Sequence, residues 1–292
     1  MTFYGYRRSD GRVGIRNYVL ILPASVCASD TTRIVAQQVN GAVTFHNQNG
    51  CSQVASDQQL TKDVMAGYAA NPNVYGTVIV SLGCENCQMD LVAQAIAART
   101  NKPMKQVIIQ EAGSTLKAVD MAVRYAKEMV AAASMLQKQE FPMSELILGT
   151  ECGGSDPTSG LVANPLIGRL SDLLVADGGT SILSETTEFI GAEHILAGRA
   201  ATPEVHDRIL DIMHRYEKAL QLVGEEVRES NPSPGNKAGG LTTLEEKSLG
   251  CIHKGGHSPV NAVYDYAKQV ESNIKIDLSQ CFYSSTDSNL SA

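Results

Sequence analysis

The chain has 292 residues, 43% hydrophobic and 19% charged, which is enough apolar material for one large or two ordinary domains. Its formal net charge of −7 argues against a nucleic-acid or membrane-surface partner, and no apolar run reaches the length of a membrane span. The opening MTFYGYRRSDGRVGIRN lacks the apolar centre of a signal peptide, and an odd set of seven cysteines fits reduced thiols in a cytoplasm rather than a disulfide framework.

A basic stretch comes first, with Arg7, Arg8, Arg12, Arg16 and Arg33 against only Asp10 and Asp30 in residues 1–50. It serves either a small anion or a solvated surface. One pattern then repeats: an apolar, β-branched run, a loop of small and polar residues, and a helical run. YVLILP (18–23) leads through ASVCASD into TTRIVAQQV, and AVTFH (42–46) leads through NQNGCSQ into an amphipathic stretch. GTVIVSLG (76–83) leads through CENCQMD into LVAQAIAAR, and QVIIQ (106–110) through EAGS into a helix expected to reach about Gln139.

A boundary is expected at KQEFPMS (138–144), where Pro142 interrupts. Beyond it, LILG (146–149) precedes TECGGSDPTSG, where Ser155 or Asp156 suits the cap of a helix starting near Ser159. TSILS (180–184) precedes ETTEFIGAEHIL. PEVHDRILDIMHRYEKAL reads as an amphipathic helix with solvated His206 and His214, residues 229–250 as loop-rich, and SSTDSNLSA as a frayed end. The predicted fold class is therefore α/β, with repeated strand-loop-helix units on a largely parallel sheet. A second α/β domain, read as truncated, follows. Ligand sites of such sheets lie at the carboxyl ends of the strands.

The chemistry-bearing residues fall in those loops. Cys27, Cys51, Cys84, Cys87 and Cys152 all do, although a single free cysteine is ordinarily a small buried hydrophobe. His46 accompanies Cys51, Glu85 and Gln88 accompany Cys84, and Glu151 and Asp156 flank Cys152. Glu185, Glu188, Glu193 and His194 lie in SETTEFIGAEH, Asn236 lies in GNKAGG, and Lys247 and Lys254 bracket SLGCIH. Imidazole, thiolate and carboxylate together suit Fe(II), Mn(II) or Zn(II). CENC is a lone C-x-x-C without a second pair, so it supports neither a zinc ribbon nor an iron–sulfur site.

Six motifs in order, GYRRSDGRVGIRNYVLILP, HNQNGC, LGCENCQ, GTECGGSDPTSGLVANP, GGTSILSETTEFIGAEHIL and GNKAGGLTTLEEKSLGCIHKGG, resemble the altronate dehydratase/galactarate dehydratase family from about Tyr4 to about Gln269. The resemblance implies a metal-dependent hydro-lyase that converts a sugar acid to a 2-keto-3-deoxy acid by α-proton abstraction and β-hydroxide elimination. It divides the chain into a middle α/β domain, residues 1–140, and a C-terminal domain, residues 141–292, read as incomplete.

The implied site has Glu185, Lys247, Glu85 and Asp156 for catalysis. Arg12, Arg16, Gln88, Glu151, Asn236 and Lys254 bind substrate, and His46, Cys51, Cys84 and Cys152 hold Fe(II) or Mn(II). The implied partners are the sugar acid, a small SAF-domain subunit, because no such domain is found here, and further copies of the chain. Besides the missing SAF-like domain, two features depart from the family: Cys87 stands where many members carry Asn, and the resemblance fades after about Gln269. The alternative readings are a sulfolactate-type sulfo-lyase and a truncated, non-catalytic binding or assembly subunit.

Overall fold

The computed structural model describes residues 1–270 and 276–279. Its described residues divide into two compact units, Thr2–Phe141 and those from Pro142 onward together with Met1.

The first unit begins with strands β1 (Thr2–Arg7) and β2 (Val13–Gly14), paired antiparallel. β3 (Tyr18–Pro23), α1 (Val26–Gln38), β4 (Ala42–Val43), α2 (Ala55–Ala70), β5 (Val74–Ser81), α3 (Met89–Ala97) and β6 (Met104–Ile108) follow. α4 (Ile109–Ala112), α5 (Thr115–Ser134) and β7 (Gln139–Pro142) end the run, with β7 on the free side of β1. β4, β3, β5 and β6 form a parallel sheet in that order. Its two central strands, β3 and β5, are largely apolar and buried along their length because both faces are covered. Val19, Ile21, Val78 and Val80 pack with α1 and α5, whereas Leu20, Leu22 and Ile79 pack with α2 and α3.

Two expected elements come out shorter. AVTFH pairs only over Ala42–Val43, because Thr44 Oγ donates to the Ile21 carbonyl at 2.7 Å and Asn47 Nδ2 to that of Pro23 at 3.0 Å. Side chains there replace the backbone ladder. The helix expected to reach Gln139 ends at Ser134, where Asn17 Nδ2 takes the Ala133 carbonyl at 2.5 Å. The chain then turns into β7 and buries Phe141 against Phe3, under the Arg7 guanidinium.

Lys102 is buried in this unit and donates to the carbonyls of Asn71 and Val74 at 2.6 and 2.9 Å. Burial, opposed by Asp10, brings its pKa down to about 7. The unfolded chain, with a lysine pKa of about 10.4, keeps a proton that the folded chain loses between these values, so this residue makes stability rise with pH across that window. The expected result is that wild type gains stability relative to Lys102→Met between pH 7 and 10 in chemical denaturation. A difference that stays flat with pH would contradict it.

In the second unit, β8 (Ile147–Thr150) leads to a π-helical turn, Ser159–Ala163, that runs into α6 (Asn164–Ala176). β9 (Thr180–Leu183), α7 (Glu193–Ala197) and α8 (Pro203–Gln221) come next, then α9 (Val227–Ser230), α10 (Pro234–Ala238), α11 (Leu244–Ile252), β10 (Ala262–Tyr264) and β11 (Ile276–Ser279). The sheet is parallel in the order β10-β11-β9-β8. Leu183, Phe189, Ile190, Leu196, Ile209, Ile212, Met213 and Ile252 form its core. His206 and His214 lie on the exposed side of α8.

Residues 229–250, expected as loop-rich, are largely helical. Their Ser, Thr, Pro and Gly act as punctuation: Ser233 accepts from the Asn236 N–H ahead of Pro234. Thr243 Oγ accepts from the Glu246 N–H, and Glu246 accepts from the Thr242 N–H and hydroxyl. No helix among the described residues is long and apolar enough to cross a membrane.

Candidate functional site

The carboxyl ends of β8 and β9 are pinned together before either chain enters its loop. Thr150 Oγ donates to the Ile182 carbonyl at 3.1 Å, and Ser184 Oγ donates to the Thr150 carbonyl at 2.5 Å. Just beyond, the Cys152 N–H donates to Glu185 Oε2 at 2.7 Å. Glu185 sits in left-handed backbone, with φ 69° and ψ 56°, a conformation that costs a residue with a Cβ about 1–3 kcal/mol. The following turn, closed by the Glu188 N–H on the Glu185 carbonyl at 2.9 Å, brings Glu188 back beside it.

Two lysines meet these carboxylates. Lys254 Nζ lies 3.1 Å from Glu185 Oε2 and 3.4 Å from Glu188 Oε2, with its side chain 2% exposed. Lys247, on α11, places Nζ 3.6 Å from Glu188 Oε1 and donates to Asn236 Oδ1 at 3.1 Å. Asn236 Nδ2 in turn donates to the Ser155 carbonyl at 3.0 Å. Cys251 Sγ donates to Glu188 Oε2 at 3.0 Å, and Cys152 Sγ lies 3.4 Å from Ser155 Oγ.

α6 is the platform beneath Lys254. Ser171 Oγ donates to the Lys254 carbonyl at 3.0 Å, and Asp172 Oδ1 accepts from the His257 and Ser258 N–H groups at 2.8 and 3.0 Å. The approach is close because position 168 has no side chain: a Cβ there would lie 2.0 Å from the His253 carbonyl oxygen. Gly168→Ala is therefore expected to destabilise the chain by at least about 1–3 kcal/mol, and to displace Lys254 as well. Urea unfolding measures the first effect, and unchanged stability would show that the backbones part at no cost.

The carboxylates are driven apart electrostatically. Burial, and then the charge of Glu188, raise the pKa of Glu185 against the pull of Lys254. Burial also pushes Glu188 up, but Lys254, the Cys251 hydrogen bond, Lys247 and the Cys152 hydrogen bond outweigh it and hold Glu188 below the usual carboxylate range. Burial and Glu188 raise both thiols, Cys152 and Cys251. A neighbouring acid pair with opposite shifts is the arrangement that separates a proton carrier from a permanent anion.

Among the described residues, one group of at least three His, Cys, Asp or Glu side chains has ligating atoms within 4.8 Å of one another: Cys152, Glu185 and Glu188. A soft thiol with two carboxylates is a donor set suited to a first-row divalent ion. His46, Cys51 and Cys84 do not enter such a group; all three are exposed on loops of the first unit.

Other expected site residues have local partners. Asp156 Oδ1 caps the turn into α6, accepting from the Thr158 and Ser159 hydroxyls and from the Ser159 N–H at 2.8 Å. Glu151 is exposed. In the first unit Glu85 is buried and accepts from Ser81 Oγ and the N–H groups of Leu82 and Gly83, at 2.5, 3.0 and 2.6 Å. It lines a small pocket with Gln88 and Asp90 at the carboxyl ends of β5 and β6. Cys87 is buried in the core beneath α2 and α3. Arg12 pairs with Asp10 at 2.6 Å, and Arg16 is exposed.

Two contributors lie outside the expected set. Glu188 was one acid among several in its stretch, and Cys251 lay within SLGCIH, where only the bracketing lysines were singled out. An i, i+3 spacing of Glu185 and Glu188 was the available signal for the first; no sequence signal marked the second.

Comparison with known proteins covers nearly all of this architecture. Residues 5–134 match the D-galactarate dehydratase/Altronate hydrolase second-domain family, and residues 143–281 match the D-galactarate/Altronate dehydratase C-terminal family. The chain is 38% identical over 277 residues to an altronate dehydratase of Bacillus subtilis (strain 168), covering 91% of this chain and 55% of that protein. It is 34% identical over 279 residues to a galactarate dehydratase (L-threo-forming) of Escherichia coli (strain K12), covering 89% and 53%. It is also 38% identical over 269 residues to a (2R)-sulfolactate sulfo-lyase subunit beta of Chromohalobacter salexigens, covering 91% and 68%. The chain thus spans about half the length of the curated dehydratases it matches.

Proposed function

The chain belongs to the D-galactarate/altronate dehydratase family, and on that premise we propose that it is the catalytic part of a cytoplasmic hydro-lyase. The substrate is an altronate- or galactarate-like sugar acid and the product a 2-keto-3-deoxy acid. One observation carries the reading: the buried Glu185–Glu188 pair gripped by Lys254 and Lys247.

Removing a proton α to a carboxylate creates a second negative charge, so the reaction needs a base and nearby cations. Glu185 is the proton-transfer group, because burial and Glu188 raise its pKa toward working pH. Glu188 stays anionic and holds both ammonium groups in place. Lys247, less enclosed and tethered through Asn236, is oriented to meet a substrate carboxylate or the departing hydroxyl. Cys152, Glu185 and Glu188 are the residues that would hold Fe(II) or Mn(II), which supplies Lewis-acid stabilisation of the developing charge.

The proposed assembly includes a small SAF-type subunit and further copies of the chain. Incubation with Fe(II) or Mn(II) and altronate or galactarate, with and without such a subunit, is expected to yield a 2-keto-3-deoxy acid. No product under any of these conditions would remove the reading and favour a non-catalytic binding role. The sulfo-lyase relative, matched over 68% of its length, supports a second reading. Release of sulfite from sulfolactate in the same assay would favour it.

A further inference from the structure

The cluster already contains a cation of its own. Lys254 Nζ lies 3.1 and 3.4 Å from Oε2 of Glu185 and Glu188, the two carboxylates assigned above to a divalent ion. It is almost wholly enclosed, and its backbone is anchored to α6 through Ser171. Lys247 is placed differently: it reaches only Glu188, through Oε1 at 3.6 Å, and its other partner is Asn236. An ammonium between two carboxylates and a metal ligated by them compete for the same oxygen lone pairs. Like charges in so poorly solvated a site repel strongly.

We infer that Lys254 is a built-in competitor of the divalent cation. Its ammonium balances Glu185 and Glu188 in the metal-free protein, and metal binding by Cys152, Glu185 and Glu188 displaces it from both carboxylates. The inference rests on the metal assignment made under the proposed function and not on the hydro-lyase reaction.

The test is Mn2+ binding to the full chain, read from the paramagnetic resonance of free Mn2+, in wild type, Lys254→Met and Lys247→Met. Lys254→Met is expected to bind at least about tenfold more tightly than wild type, and Lys247→Met to change much less. Three results overturn the inference: equal or weaker binding by Lys254→Met, an equal gain in Lys247→Met, or no Mn2+ binding by any form. Should Lys254→Met fail to fold, Mn2+-soaked crystals of wild type decide. An anomalous peak among Cys152, Glu185 and Glu188 with Nζ withdrawn from both carboxylates supports it. A bound ion with the ion pairs intact, or no peak, overturns it. Turnover of altronate and galactarate is assayed separately on the same samples, with and without the small subunit: the expected binding pattern without product under any of these conditions leaves this inference standing and removes the hydro-lyase reading.

Discussion

Lys254→Met is expected to cost the metal-free chain about 3–5 kcal/mol of stability, because it leaves two enclosed carboxylates without their shared partner. The sign of its pH dependence follows from Glu188. Lys254 heads the influences holding that carboxyl below its usual range against the opposing effect of burial, so the wild-type contribution is present above the unfolded carboxylate pKa and fades as pH falls through the folded value. Without the ammonium, burial of Glu188 is opposed only by Lys247 and the two thiol hydrogen bonds, and the folded state holds two carboxylates against one nearby ammonium at neutral pH. The deficit of the variant is therefore larger at pH 8 than at pH 5. Urea unfolding at both values measures it, and adding Glu188→Gln should recover part of the loss through coupling between contacting residues. A deficit below about 1 kcal/mol, or one indifferent to pH, would mean that the carboxylates are solvated rather than gripped.

Glu185→Gln is expected to lower turnover of the proposed sugar-acid substrate by about 10²–10⁴-fold while leaving the fold in place. Glutamine keeps the shape and can still accept the Cys152 N–H, so the left-handed turn is retained and stability changes little beside the kinetic loss. The loss should fall on kcat. A variant with wild-type kcat would exclude Glu185 as the proton-transfer group and move that role to Lys247. Glu185→Gln removes a proposed ligand as well as the base, whereas Glu188→Gln removes a ligand alone, so turnover compared at matched metal content in the two variants isolates the loss due to the base.

Much of the fold was legible from composition alone. Strands such as YVLILP and TVIVS are apolar at successive positions, which only a sheet covered on both faces accommodates, and the helices α1, α2, α3 and α5 provide that cover. The errors fell where one side chain redirected the backbone, as Thr44 does at the end of β4 and Phe141 beyond α5. In residues 229–250 the same Ser, Thr, Pro and Gly that suggest loops also start helices, and composition does not separate the two uses.

The candidate site was legible as an inventory and not as an arrangement. The sequence by itself determined the family, the α/β class, the presence of Cys152 and Glu185 in loops that follow apolar strands, and that of Lys247 and Lys254 around SLGCIH. Only the tertiary structure decided that Glu188 completes the carboxylate pair, that Cys251 bonds it, and that Asp156 and Glu85 spend their oxygens on local N–H and hydroxyl groups. The reason is physical. Residue type and strand periodicity are local properties, whereas a pKa and a ligand set depend on distances across Cys152, Glu185 and Lys254. Those distances are fixed by a left-handed turn at a glutamate and by the close packing of Gly168, neither of which has a local signature in the chain.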